Sequence, residues 1–167
     1  MAGIHWAAPP PATGDSSPAA AAGNEFIDGL TEGPGSREAA EKMRNAGNTL
    51  KTLAQNGKFS VNEAGFQAYA KACKFFLDGF DHMYGDLESL TQAAAMGSSD
   101  YARKVAKFNT SVANDGTHES MLPNIEMMRD AIKAAFEAME LARKNYRESD
   151  NENAISFIEL SKKLDSQ

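Results

Sequence analysis

Residues 125–150, IEMMRDAIKAAFEAMELARKNYRESD, decide how this chain folds. On a wheel advancing about 100° per residue, Ile125, Met128, Ile132, Ala135, Phe136, Met139, Ala142 and Tyr146 fall on one face. A second apolar group, Met127, Ala134, Ala138 and Leu141, lies beside it. Together the two groups span roughly 200° of the wheel, more than one antiparallel neighbour covers. Glu126, Arg129, Lys133, Glu137, Glu140 and Arg143 fill the remaining wall. This helix therefore expects a second neighbour, either an earlier helix of its own chain or another subunit. Pro123 suits its first turn, and Glu126 and Asp130 stand near its positive end.

The neighbours are found upstream. Between Ser60 and Gly97 the apolar residues Phe66, Tyr69, Ala70, Cys73, Phe76, Leu77, Phe80, Met83, Tyr84, Leu87, Leu90 and Ala94 alternate at steps of three and four. Ser60-Val61-Asn62-Glu63 reads as a capping box at the start. A helix of that length is a rod on the order of 50 Å, which suits an elongated antiparallel hairpin with the 125–150 helix. Gly65, Gly79 and Gly85 within it point to close helix approach or a bend. An additional helix runs from Ser36, as N-cap, to Gly57. Its apolar stripe of Ala39, Met43, Ala46, Leu50 and Leu53 is narrow and faces one partner helix. Between the long helices the period breaks, and Ser99, Tyr101, Val105 and Phe108 predict a short helix over 99–109 with Arg103, Lys104 and Lys107 outside.

The ends read differently. Residues 1–35 are rich in Pro, Ala, Gly and Ser and are expected to be disordered, with Trp6, Phe26, Ile27 and Leu30 as candidate anchors. Residues 36–150 form the hairpin or bundle, and residues 151–167, with Ile155, Phe157, Ile158, Leu160 and Leu164, a mobile helix-prone tail. The fold class is all-α: an elongated helical hairpin plus an N-terminal helix, forming a small bundle.

The 167 residues leave room for one domain. A net charge of −6 and a pI near 5.1 argue against nucleic acid, whose phosphates need clustered cations. Cys73, the single cysteine, excludes an internal disulfide or a multi-cysteine zinc site. No apolar run reaches the roughly 18–20 residues of a membrane span, and the N-terminus lacks the basic and apolar regions of a secretory signal peptide. Asp78, His82 and Asp86 line up on the face away from the seam, but without the inward Glu-x-x-His pattern of a di-iron bundle. No phosphate loop, nucleophile elbow or catalytic pair is present. The expectation is a non-enzyme with no catalytic residue, metal or cofactor.

At Tyr146-Arg147-Glu148-Ser149-Asp150 the sequence resembles the Tyr-x-x-x-Asp/Glu export signal of bacterial type VII (ESX) secretion substrates, which follows the second long helix of a hairpin. With residues 60–97 and 122–150 as the two hairpin helices, the resemblance covers about 58–154 and is closest to the larger actinobacterial EspC-like proteins. Tyr84 and Glu88 share the spacing but lie in mid-seam. The family's Trp-x-Gly turn is missing; a connection containing Gly97-Ser98-Ser99-Asp100-Tyr101 stands in its place. The resemblance implies secretion without a cleaved signal peptide and recognition of Tyr146 and Asp150 by the secretion ATPase. It also implies pairing with itself or a related hairpin through the flank of Met127, Ala134, Ala138 and Leu141, and a larger exported toxin as a further partner. The alternative is a cytosolic structural or adaptor bundle that holds another protein on that same flank.

Overall fold

The computed structural model describes residues 17–91, 97–117 and 120–164, the stretch 154–164 by its backbone only. Among them the chain is all-helical: α1 (Pro18–Glu32), α2 (Arg37–Gln55), α3 (Glu63–Thr91), α4 (Asp100–Asn114) and α5 (Met121–Leu164). No strand occurs among the described residues, so the chain is a small helical bundle.

Helix α1 corrects the compositional reading of residues 1–35. The Ser17 hydroxyl caps the Ala20 amide at 3.2 Å, Pro18 opens the helix, and the alanines after it are the best helix formers. Ala22, Phe26 and Gly29, at steps of four and three, are buried against α2. Counting alanine with proline and glycine as a sign of disorder hid this helix. The helix stops at Gly33, whose φ of 79° lies in the left-handed half of the map, and α2 returns antiparallel, with Lys42 paired to Glu32 at 2.7 Å. Residues 1–16, including Trp6, lie outside the described residues.

Helix α2 begins and ends where the sequence places it. Ser36 caps the Ala39 amide at 3.1 Å. At the other end Gly57 has φ 65°, with Lys58 N–H to Leu53 O at 2.8 Å and Gly57 N–H to Ala54 O at 3.0 Å, the two bonds of a Schellman motif. Its burial is wider than one stripe, however. Besides Ala39, Met43, Ala46 and Leu50, the small residues Ala40, Gly47 and Ala54 are buried at steps of seven. The helix is gripped from two sides, by α1 and by α5.

The interface between α2 and α5 is the most extensive in the fold. The two run parallel. Along α5 the buried row Asn124, Met128, Ala131, Ala135, Ala138 and Ala142 steps by four and three. Alanines let the backbones approach closely, so a Cβ built on Gly47 would stand 2.9 Å from the Ala131 carbonyl oxygen. Asparagines bracket the row. The Asn124 side-chain N–H donates to Pro34 O at 3.2 Å, and Asn145 donates to Ala54 O at 2.8 Å and Phe59 O at 3.3 Å. Each ties α5 to backbone carbonyls at or just outside the ends of α2.

Helix α3 lies antiparallel to α5 on another face: Glu63 meets Arg143 and Arg147, Asp81 meets Arg129, and Tyr84 meets Glu126. Asn62, rather than Ser60, caps it, accepting from the Gly65 amide at 2.8 Å. Of the long apolar seam only Phe66, Cys73, Phe80 and Leu87 are buried, one residue in each seven, because α3 has α5 on one side and little else. Gly79 and Gly85 face open space, so neither marks a close approach; those occur at Gly47 and Gly29. Ala94 lies outside the described residues.

Candidate recognition surface on the last helix

Helix α5 runs unbroken for 44 residues, about 66 Å at 1.5 Å per residue. The expected exit from the helix at Asp150 is therefore absent. Residues 151–164, expected as part of a mobile helix-prone tail, continue the helix. The run Asn151-Glu152-Asn153 interrupts the apolar pattern without breaking the backbone, since neither residue type blocks a helix interior as proline does.

Where α5 leaves its neighbours, the side chains form a polar collar. Val61 N–H donates to Ala142 O at 3.2 Å, fixing the α2–α3 connection against α5. Asn145 holds the same connection at Phe59 O. Arg147 meets Glu63 at 2.8 Å, and Arg143 stacks 4.0 Å over the Phe66 ring. The hydrogen bond from Gln67, followed by those cations, holds the Glu63 carboxyl below its ordinary range.

Tyr146 lies at this collar. Its position on the wheel assigns it to the inner face, yet it is 41% exposed, because α2 ends and α3 begins level with it, so neither runs on to cover its ring. Asp150, one turn further on, is exposed. The spacing of four puts the two side chains on one helix face. Neither has a hydrogen bond or ion pair among the described residues, so a phenol and a carboxylate stand free together, available to a partner that reads both.

The other match to the spacing is occupied. Tyr84 is half-buried, donates to Glu126 at 3.2 Å and has the Arg129 guanidinium 5.8 Å from its ring centre. The bond to Glu126 pushes its phenol up from the ordinary value.

The apolar flank of α5 has its neighbour within the chain. Ala138 is fully buried, and Met127, Ala134 and Leu141 are half-buried. On the wheel Glu137 lies at one edge of this group and Asn145 within it, and they bond to Lys51 of α2 and to the α2 terminus. Of the two neighbours the sequence allowed, α2 of the same chain is the one seen against α5. Apolar surface is exposed elsewhere. On α4, Ala102 and Ala113 are buried while Tyr101, Phe108 and Val112 are 78%, 65% and 39% exposed. Sequence reasoning found the period of that stripe over 99–109 but put only Arg103, Lys104 and Lys107 outside.

The remaining candidate groups have local partners. Asp78 is bonded to Lys74, and His82 Nδ1 lies 2.6 Å from the Asp78 carbonyl, so their side chains do not converge with Asp86. No cluster of three His, Cys, Asp or Glu able to hold a metal occurs among the described residues. Cys73 is buried, and burial pushes its thiol up to about 11. No described helix is long and apolar enough to cross a membrane. Compared with known proteins, the chain matches no family model, no curated protein and no solved structure.

Proposed function

We propose that this chain is a non-enzymatic protein exported by a type VII (ESX) secretion system, or accompanying export through it, and that the secretion ATPase reads Tyr146 and Asp150. In this reading α3 and α5 are the elongated hairpin of that class and α1–α2 an addition to it. The chain pairs with itself or a related hairpin, and leaves the cell without a cleaved signal peptide. A larger exported toxin is a further class of partner.

One observation carries the reading. Tyr146 and Asp150 stand one turn apart on α5, both exposed and unpaired among the described residues. The competing pair, Tyr84 and Glu88, has its tyrosine tied into the α3–α5 contact.

The test is export of a tagged chain from a cell that carries the apparatus. Tyr146→Ala with Asp150→Ala reduces the protein in the medium to background while the lysate level and the melting temperature stay unchanged. Undiminished protein in the medium sinks the assignment. The exposed stripe on α4 favours a second reading, a cytosolic adaptor that binds another protein there. That reading expects the chain in the lysate alone, with or without the two substitutions.

A further inference from the structure

We propose that α4 is a self-docking surface, on which the α4 of a second copy lies antiparallel through Tyr101, Val105, Phe108 and Val112. The inference concerns α4 alone and stands whether or not the chain is exported.

The four residues recur at steps of four, three and four over a helix of fifteen residues. Tyr101 and Phe108 are largely exposed, Val112 is 39% exposed and Val105 is half-buried, while the alanine face of α4 is turned to the bundle. An exposed apolar row of this kind marks an interaction site. Its width says which kind. A strict three-four stripe is the seam by which one helix meets another, whereas a helix lying in a lipid interface presents a broader apolar face.

The order of residues selects a second copy and its direction. When the seam is laid against itself in reverse, Tyr101 faces Val112 and Val105 faces Phe108, and the two-fold axis repeats both contacts. Every layer then holds one aromatic ring and one valine. Laid parallel, ring meets ring and valine meets valine, alternating crowded layers with hollow ones. Charge agrees. Lys104 and Ser111 share the flank that meets its own copy in reverse, so each lysine falls opposite a serine and no two cations face each other. Arg103 is already bonded to Asp100.

One helix per copy buries less than the roughly 1,200–2,000 Å² of stable interfaces, so the dimer is reversible and depends on concentration. Both copies are acidic overall, so added salt relieves their repulsion and strengthens an apolar contact. A foreign acidic helix drawn to Lys104 and Lys107 responds in the opposite sense.

Sedimentation equilibrium of the full chain through the micromolar range, at low and high salt, tests the proposal. A dimer is expected, strengthening with salt, and Phe108→Glu raises its Kd at least tenfold with the far-UV circular dichroism unchanged. Tyr101→Cys and Val112→Cys chains, mixed, form disulfide dimers faster than either alone; Cys73 is buried and does not compete. A chain that stays monomeric overturns the proposal, and so does a dimer indifferent to Phe108→Glu. Fastest cross-linking within one variant overturns the antiparallel arrangement. Binding of the monomer to phosphatidylglycerol vesicles, lost in Phe108→Glu, reassigns the stripe to lipid and overturns self-docking.

Discussion

Replacing Gly47 with alanine tests the closest contact in the fold. A Cβ there would lie 2.9 Å from the Ala131 carbonyl oxygen, 3.6 Å from its carbon and 3.7 Å from its Cα. Reaching the ordinary contact limit of 3.4 Å requires a shift of 3.4 − 2.9 = 0.5 Å. The obstacle is backbone, so no rotamer change relieves it. α2 and α5 must separate along the whole alanine row, and a radial gap of about 0.5 Å already forfeits about a quarter of the dispersion attraction between facing atoms. Overpacking of this kind costs about 1–3 kcal/mol, while removing glycine from a helix interior returns about 1 kcal/mol. The net is a loss of up to about 2 kcal/mol, or up to about 8 °C in melting temperature for a chain of this size. Gly79→Ala is the matched control. Its Cβ meets nothing within 4 Å, so only the helix preference acts and the protein gains about 0.5–1 kcal/mol. Thermal and urea unfolding followed by far-UV circular dichroism reads both. If Gly47→Ala melts as high as Gly79→Ala, the close approach of α2 to α5 is refuted.

Asn145→Ala strands the Phe59 carbonyl and leaves Ala54 O with the Gly57 amide alone, and lowers the urea midpoint by an amount equivalent to about 1–2 kcal/mol. The Glu63 carboxyl is held below its ordinary 4.5, so its contribution is complete above that pH and is lost as pH falls through the depressed value. Hydrogen exchange in the first turn of α3 accelerates there, and Glu63→Gln abolishes the step. Burial raises the Tyr69 phenol, and raises the Cys73 thiol from 9.0 to about 11, so both favour the fold while protonated. Stability is complete below about pH 9 and is lost as pH rises through about 11, which an alkaline melting series measures. At neutral pH, iodoacetamide labels Cys73 slowly in the folded chain and fast in urea, by mass spectrometry.

Much of the fold is legible in local sequence. The serines at 36 and 99 cap where their hydroxyls sit before a periodic run, and Gly57 closes α2 through a left-handed conformation that side chains disfavour. Other features depend on partners far along the chain. The apolar arc of α5 announced a second neighbour, but nothing local identifies it as α2, some 90 residues upstream. Helix α1 has a narrow buried face of Ala22, Phe26 and Gly29, legible only once α2 is in place to receive it. Wheel position assigned Tyr146 to the core. Its exposure depends on where α2 and α3 happen to stop, which periodicity in α5 does not encode. Asp150 was readable as exposed, though not as lying within a helix that carries on.

Helix α5 also sets a timetable. Among these elements it is the last to be synthesised, and both α2 and α3 depend on it for their buried faces. Bonds such as Lys51 to Glu137 and Asn145 to Ala54 join residues 86 and 91 apart, so nearly the whole chain must exist before they form. Until then α1 and α2 have only each other, and a short helical pair is marginal in water. On the ribosome the chain therefore stays open until α5 emerges, then closes in one late step. During that interval its alanine-lined seams are uncovered and accessible to a chaperone.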